Sequence, residues 1–294
     1  MGSRDDMRMP DAIFPPTLLV VGLGMAASLG WGLADFGGGL ASRRAPVLGV
    51  LFTSQLASLL FAIPLVLLVA EPGMRSIDFV LAAVGGVLGA SGLALLYRGL
   101  SVGRMGVVMP IAAVITAVMP IGFGFLTEGI PPPLAIAGIG CAAAGVVLVS
   151  LSPATPDGRP SGIWYGVLTG AVFGLFPIVT SGLSEDLLVG PVVTVRIASV
   201  LFIASLLFVR RPQWRLPRRL WPAMLALGTV DMLATTAFLA AIAVGPLAVA
   251  AILTSFSTVV TVILAALVLR ERIAPIQAIG IVAAGVAVVP IAGA

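Results

Sequence analysis

Apolar residues fill almost the whole chain in long blocks that are separated by short polar segments. Each block has roughly the 17 to 25 residues that a helix needs to cross the hydrocarbon core of a bilayer. The pattern therefore predicts an all-α membrane protein with ten transmembrane helices. The blocks cover 18–40, 47–70, 77–97, 105–126, 134–151, 163–183, 192–209, 220–244, 247–269 and 273–292.

The composition agrees with a chain that is surrounded by lipid. The sequence is 60% hydrophobic and 10% charged, with a mean hydropathy of +1.18. Soluble domains are roughly half apolar and about one quarter charged. The segments between blocks are at most about a dozen residues long, which leaves no room for a soluble catalytic domain. We therefore expect the functional residues to lie within the helices or at their ends.

The second half of the chain repeats features of the first half. An offset of 142 residues aligns Thr116 with Thr258. An offset of 144 aligns a ladder of small residues in the first block with a similar ladder in the sixth. The two ladders are Gly22, Ala26, Gly30 and Gly166, Gly170, Gly174. Small residues four positions apart share a helix face and allow close packing in lipid.

A natural boundary separates the two halves. Residues 152–161 read SPATPDGRPS and have the composition of a linker. We therefore divide the chain into a first five-helix repeat at 17–151, the linker, and a second five-helix repeat at 162–293. A unit with an odd number of helices enters the membrane from the opposite face when it is repeated. The two repeats are thus predicted to be inverted, as in many secondary transporters.

Arginine residues predict the orientation of the chain. The sequence contains no lysine, and twelve arginines fall on one side of the predicted membrane, against three on the other. The positive-inside rule places the arginine-rich side in the cytoplasm and both termini outside. The run at 210–219 (RRPQWRLPRR) is explained by a loop that meets anionic headgroups, so we expect no nucleic-acid partner.

Three ionisable residues lie within predicted helices, where an unpaired charge costs at least about 2.5 kcal/mol. Asp231 is the first candidate for a site that binds a proton or a substrate amine, and Thr235 shares its face one turn later. The alternative is a static ion pair, for which Arg196 is the obvious partner. Asp35 lies one turn after Trp31, so this pair predicts a charged pocket with an aromatic wall. Alternatively, Asp35 points to the membrane interface.

Other polar residues and prolines complete the candidate site. Tyr97 is either a pocket wall or an interfacial anchor. Hydroxyl and amide side chains within helices either face a cavity or form interhelical hydrogen bonds, and prolines that interrupt helices are candidate hinges. The hydroxyl and amide candidates are Gln55, Thr116, Ser255 and Thr258, and the candidate hinges are Pro110, Pro120 and Pro177.

Missing residue types narrow the chemistry. The chain has no histidine, and its one cysteine, Cys141, lies in an apolar block. These absences argue against a histidine-containing catalytic triad, a conventional zinc site and a structural disulfide. A P-loop requires lysine and is therefore excluded. The sequence predicts that the chain is not an enzyme, has no catalytic residue and needs no metal or other cofactor.

Several diffuse motifs resemble the drug/metabolite transporter superfamily, in its EamA-like branch. They are Trp31-Gly32, the segment 97–103 (YRGLSVG) with its echo at 239–245 (LAAIAVG), and the helix-ending Glu128 and Glu271. The resemblance extends over residues 17–292. It implies ten helices in two inverted repeats and secondary transport, often export, through a cavity between the repeats. Many members of this superfamily keep both termini in the cytoplasm, opposite to what the arginine count predicts here.

These observations lead to an expected function. We expect a secondary active transporter, a proton-linked exporter of small metabolites such as amino acids or amphiphilic drugs, which works by alternating access. It would be a multi-pass protein of the inner or plasma membrane of a bacterium, as a monomer or homodimer. A lipid-linked flippase is one alternative. The other is a membrane scaffold or accessory subunit that transports nothing.

Overall fold

A computed structural model describes residues 16–42, 44–102, 105–150, 162–210, 213–269 and 274–292. Within these segments the regular structure is helical, without strands, which confirms the predicted all-α class. The predicted linker at 152–161 lies outside the described residues. The helices are α1 (Pro16–Ser42), α2 (Val47–Leu68), α3 (Ser76–Val102), α4 (Met105–Thr127), α5 (Pro133–Ser150), α6 (Ile163–Thr180), α7 (Val189–Arg210), α8 (Trp221–Val244), α9 (Leu247–Thr254), α10 (Ser257–Leu269) and α11 (Pro275–Ala292).

Among the described residues, six helices are long and apolar enough to cross a membrane by length and composition. They are α1, α2, α3, α6, α7 and α8, while α4, α5, α9–α10 and α11 contain shorter apolar stretches. Large apolar side chains lie exposed on the outside of the bundle, including Leu126 (88% exposed) and Phe208 (77% exposed). Such a surface is stable in lipid and unfavourable in water. The chain is therefore a multi-pass membrane protein, and the count of ten spans stays a prediction.

The ninth apolar block does not form the single helix that the sequence predicted. It forms α9 and α10, which are separated by a turn at Ser255 and Phe256. The hydroxyl groups of Thr254 and Ser255 both donate to the carbonyl oxygen of Ala251, at 3.0 and 2.8 Å. The backbone N–H of Phe256 donates to Leu253, three residues earlier. Hydroxyl side chains that compete for helical carbonyls in this way favour a break.

The two halves of the chain interleave. In the described structure α1 packs against α8, α9 and α10, α2 against α7 and α8, α3 against α6 and α7, α4 against α6 and α9, and α5 against α11. These contacts join a helix of the first half to a helix of the second half. The hydrophobic core therefore lies between the halves and not within either one.

Equivalent glycines make equivalent contacts in the two halves. A Cβ atom added to Gly24 of α1 would lie 2.9 Å from Cβ of Leu253, and one added to Gly166 of α6 would lie 3.0 Å from Cβ of Ile111. Both pairs are related by the offset of 142. Gly22, which the offset of 144 aligns with Gly166, has open space around it. The packing of α1 and α6 thus follows the first offset.

Carboxylates join the halves at one end of the bundle. Glu71 accepts hydrogen bonds from the backbone N–H groups of residues 188–190 at the start of α7, at 2.7 to 2.9 Å. Asp78 accepts hydrogen bonds from Ser184 at 3.1 Å and forms a salt bridge with Arg75 at 2.9 Å. The hydrogen bond from the Arg75 side chain to Asp78, together with the negative charge of Asp78, raises the pKa of the Arg75 guanidinium. Glu128 accepts from the first residue of α9.

We call this end, formed by loops 69–75, 128–132, 181–188 and 245–246, the carboxylate end. Loops 44–46 and 213–220 lie at the opposite end, where the ring of Trp214 packs on Phe52 with 5.7 Å between the ring centroids. Four described arginines belong to these two loops, namely Arg44, Arg215, Arg218 and Arg219. We call it the arginine end.

Candidate functional site

A cavity lies between the two halves of the chain. Its volume is about 1170 Å³, including the open space at its mouth, and nine helices, α1–α4 and α6–α10, contribute to its wall. Most of the wall is apolar, with a few polar and charged side chains. Ligand sites in proteins commonly have this combination of an apolar wall and a few polar groups that fix orientation.

Arg196 holds together a polar cluster in the wall. Its guanidinium donates to the carboxylate of Asp231 at 2.6 Å, to the side-chain oxygen of Gln55 at 2.9 Å and to the backbone oxygen of Asp231 at 2.9 Å. It also donates to the hydroxyl of Thr235. The amide of Gln55 donates to Asp231 at 3.2 Å. Helices α2, α7 and α8 are thereby linked through charge-assisted hydrogen bonds.

This geometry favours one of the two interpretations of Asp231. A proton site at Asp231 requires that its carboxylate has no fixed cation beside it. In the structure, Arg196 is a fixed cation beside this carboxylate. Arg196 is only 4% exposed, and Asp231 is 16% exposed. A buried pair with these hydrogen bonds corresponds to the static ion pair that the sequence left as the alternative.

One nitrogen atom of the Arg196 guanidinium takes no part in this cluster. The Nε atom of Arg196 is enclosed, and no hydrogen-bond acceptor contacts it in the part of the chain that the structure describes. The other donors of the guanidinium contact Gln55, Asp231 and Thr235, as described above. Arg196 therefore has little capacity left for a ligand in this conformation.

Asp35 is the other carboxylate in the wall, and its surroundings differ. It is half-buried, lines the cavity and forms no hydrogen bond or ion pair with any described residue. Its charged neighbour is Asp231, which acts on it as a like charge. Among the described lining residues, two carboxylates face one arginine. The cavity therefore has a formal charge of −1 when both carboxylates are ionised.

Aromatic side chains form one part of the wall. Trp31 of α1, Phe176 of α6 and Phe238 of α8 pack against one another, with ring centroids 5.3 to 6.3 Å apart. Distances of this order are typical of favourable aromatic pairs. Phe173 also lines the cavity. Because Trp31 precedes Asp35 by one turn, the aromatic cluster and the free carboxylate belong to the same cavity.

Two prolines interrupt backbone hydrogen bonding in the same wall. Pro120 in α4 and Pro177 in α6 have no N–H group, so the carbonyls of Thr116 and Phe173, four residues earlier, lose their usual helical donors. All four residues line the cavity. Polar backbone groups are thus freed next to the cavity, where a ligand or water can satisfy them.

Most of the residues that the sequence predicted meet at this cavity. Those that line it are Trp31, Asp35, Gln55, Thr116, Pro120, Pro177, Arg196, Asp231, Thr235, Ser255 and Thr258. Tyr97 is not among the residues that line it in the described structure; its buried side chain belongs to an apolar cluster that includes Leu96 and Val108. Pro110 lies in α4, but its side chain is outside the described residues.

Sequence reasoning missed several other wall residues. Thr169 is fully buried, with a hydroxyl that contacts no described partner, and Ser199 donates to the backbone oxygen of Gly86 at 2.8 Å. Ser199 follows Arg196 by one turn, and Thr169 precedes Phe173 by one turn, so helical spacing from a known wall residue is the signal that would have found both. Small wall residues such as Ala112 carry no comparable signal.

Comparisons with known proteins agree with this architecture. The family model of the EamA-like transporter family matches residues 160–292. Among curated proteins, none matches the sequence. One solved crystal structure has a TM-score of 0.71 and 15% sequence identity, covering 92% of this chain and 96% of that one, which shows a shared fold. Residues 160–292 of the chain therefore carry an EamA-like transporter domain of the drug/metabolite transporter superfamily.

Proposed function

We propose that this protein is a secondary active transporter that carries small, partly apolar metabolites, such as amino acids, or amphiphilic drugs through the central cavity. The observation that carries the proposal is the position of the cavity between the two halves. Its wall combines aromatic side chains with the buried ionisable groups, which lipid would otherwise exclude. A site between repeats becomes accessible to each side in turn when the repeats rock against each other.

Symmetric contacts support two inverted repeats. A Cβ atom added to Gly32 of α1 would lie 2.9 Å from the backbone oxygen of Ser257, and one added to Gly174 of α6 would lie 3.3 Å from that of Ile115. Both residues of the first pair are 142 positions from those of the second. An exchange of the halves therefore leaves these contacts unchanged. Repeats with five spans each then have opposite directions in the membrane.

The described conformation fits a state that is closed at the carboxylate end. Glu71 and Asp78 connect the halves there. The cavity wall extends from Pro177, about one turn before the end of α6 at the carboxylate end, to Asp35 and Leu96, about two turns before the ends of α1 and α3 at the arginine end. The other state requires that the carboxylate contacts break.

Proton coupling, where it occurs, is assigned to Asp35 and not to Asp231. A proton that binds Asp231 must first disrupt the ion pair with Arg196, whereas Asp35 has no described cation to compete with it. A proton on Asp35 would remove the uncompensated charge from the cavity. Substrate and proton can then alternate at one carboxylate, which links their movements.

Reconstitution into liposomes tests this function. Uptake of labelled amino acids and aromatic amines is measured with an imposed pH gradient, for the wild type, Asp35→Asn and Glu185→Gln. Glu185 is an exposed carboxylate in the loop 181–188, so its variant is a matched control for the loss of one charge. We expect gradient-driven uptake by the wild type and by Glu185→Gln, and its loss in Asp35→Asn.

Two outcomes would change the assignment. Equal gradient-driven uptake by Asp35→Asn and the wild type would exclude Asp35 as the coupling residue. If none of the substrates moves through folded wild-type protein, with or without a gradient, transport of this class is excluded and the scaffold alternative gains support.

A further inference from the structure

The charges in the cavity select among the ligands that an apolar cavity could hold. Three ionisable residues line it, and one pair of them, Arg196 and Asp231, neutralises itself. Asp35 is left as a carboxylate without a described partner. An isolated charge in a site of low dielectric is costly, and a cationic ligand removes that cost while an anionic ligand increases it.

From this arrangement we propose that the cavity binds organic cations, protonated amines or quaternary ammonium groups with an apolar body, through Asp35 and Trp31. This inference rests on the proposed transport function and specifies the charge of its substrate. Trp31 and Asp35 are one turn apart on α1 and both line the cavity. A cation next to this carboxylate also lies within reach of the indole ring, which attracts positive charge.

A zwitterion such as an amino acid fits the same cavity less well. Its carboxylate would need a donor, and the charged donor in the described wall is Arg196. The guanidinium already donates to Gln55, Asp231 and Thr235, and its remaining N–H group is enclosed. A ligand carboxylate would therefore have to displace Asp231 from its ion pair. The ammonium group meets no such obstacle at Asp35.

The apolar part of the ligand has a defined place. Trp31, Phe176 and Phe238 pack together in the wall. Phe173, one turn before Pro177 in α6, also lines the cavity. An aromatic or branched aliphatic body can pack against these rings, while its charged group remains at Asp35. Burial of that body stabilises the complex in proportion to the apolar surface that is removed from water.

A series of three ligands with one apolar body tests the charge preference directly. The probes are 2-phenylethylamine, a cation, phenylalanine, a zwitterion, and 3-phenylpropionate, an anion. Binding to the purified wild-type protein in detergent is measured by isothermal titration calorimetry at neutral pH. We expect the amine to bind roughly tenfold more tightly, or better, than either of the other two, since a charge-assisted contact is worth that much.

Variants then locate the cation. Asp35→Asn should lower the affinity for 2-phenylethylamine roughly tenfold or more, while Glu185→Gln, which removes an exposed carboxylate outside the cavity, should leave it unchanged. Thermal unfolding of each variant shows whether it is folded. If Asp35→Asn does not fold, the ligand series on the wild type still decides the matter, because it needs no substitution.

The outcomes separate this inference from the transport function. Amine binding that is absent, no tighter than that of phenylalanine or insensitive to Asp35→Asn in folded protein overturns the cation site. Gradient-driven flux of a zwitterion in that case would leave transport intact. Conversely, selective amine binding at Asp35 without any flux would support the site and exclude the transporter.

Discussion

Arg196 shows how one buried cation organises the interior of this protein. It contacts groups on α2 and α8 from its own place on α7, and it is almost fully buried. A charge in this position is stable because its hydrogen bonds compensate for much of the lost hydration. Its contribution is therefore to fix three helices around the cavity rather than to offer a free charge to a ligand.

Substitution of this arginine should destabilise the protein strongly. Arg196→Met leaves Asp231 without its cation, and breaking a buried pair by removing one partner costs about 3 to 5 kcal/mol. We expect a clear fall of the Tm in detergent. The double variant Arg196→Met, Asp231→Leu should recover part of that loss, because it leaves no unpaired charge. A double variant that is no more stable than the single one would show that the pair does not account for the effect.

The sequence could identify most wall residues but not their pairing. An ionisable residue within an apolar block stands out, so Asp35, Arg196 and Asp231 were all found in this way. The contact of Gln55 with Arg196 joins residues 141 positions apart, and only the packing of α2 against α7 reveals it. Which of two carboxylates keeps a partner depends on that packing. The position of Tyr97 outside the described cavity wall depends on the same packing, since neighbouring helices set its environment.

At the scale of the helices, small residues determine how closely the two halves approach. Gly170 of α6 faces α4, and a Cβ atom added there would lie 2.8 Å from the backbone oxygen of Ala112 and 2.7 Å from Cβ of Ile115. A helix pair in lipid relies on such close packing, because no hydrophobic effect drives its association. The contact also lies beside the cavity, since Ala112 is part of its wall.

A larger residue at this position should separate α4 from α6. Overpacking of a close interface costs about 1 to 3 kcal/mol, so Gly170→Val should lower the Tm in detergent. Gly22→Val is the matched control, because Gly22 is an exposed glycine of α1 with no atom within 4 Å of an added Cβ. Equal Tm values for the two variants would contradict a packing role for Gly170.

Helix positions followed from the sequence more readily than helix continuity. Nine of the apolar blocks correspond to single helices, because a run of apolar residues of this length has few other stable structures in lipid. The break between α9 and α10 was not predicted. The break is accompanied by hydrogen bonds from the hydroxyl groups of Thr254 and Ser255 to the carbonyl oxygen of Ala251. Serine and threonine also occur within continuous helices, so their presence in the sequence does not by itself predict a break.

For the whole molecule, the alternating access proposed above requires the carboxylate end to open, because side chains there join the two halves. Glu71 accepts three backbone hydrogen bonds from the start of α7, where the helix dipole favours a negative charge. This residue belongs to the first half of the chain and α7 to the second. A single side chain therefore contributes to the relative position of the halves in this state.

Removal of this charge should shift the balance between the two states. Glu71→Gln loses charge-assisted hydrogen bonds worth about 2 kcal/mol, which corresponds to a roughly thirtyfold change in population. We expect faster modification of Ala251→Cys, a cavity position, by an impermeant maleimide that reaches the carboxylate end, in a Cys141→Ala background. The control is Glu185→Gln. An unchanged modification rate in Glu71→Gln would exclude Glu71 as part of the closure.

The sequence predicts a repeat, but it does not predict how the two halves of the chain interleave. Matching residues at a fixed offset reveal an internal duplication, and a linker between five-helix units indicates opposite insertion. Packing of α1 against α8 and of α3 against α6 requires shape matching at interfaces that hydropathy does not encode. For that reason the cavity residues looked scattered along the chain, although they meet at one place between the halves.

The distribution of charge predicts the orientation of the molecule in the membrane, and this prediction is open to direct measurement. The arginine end carries Arg44, Arg215, Arg218 and Arg219, while Arg75 is the described arginine of the carboxylate-end loops. Because cytoplasmic loops are rich in arginine, the carboxylate end should face outward.

Cysteine labelling tests this orientation in a Cys141→Ala background. Glu185→Cys should react with an impermeant maleimide on intact cells, and Arg215→Cys should react only after permeabilisation. Both positions are exposed, so access to the side chain is matched. The reverse labelling pattern would place the carboxylate end, and with it the start of α1 and the end of α11, in the cytoplasm.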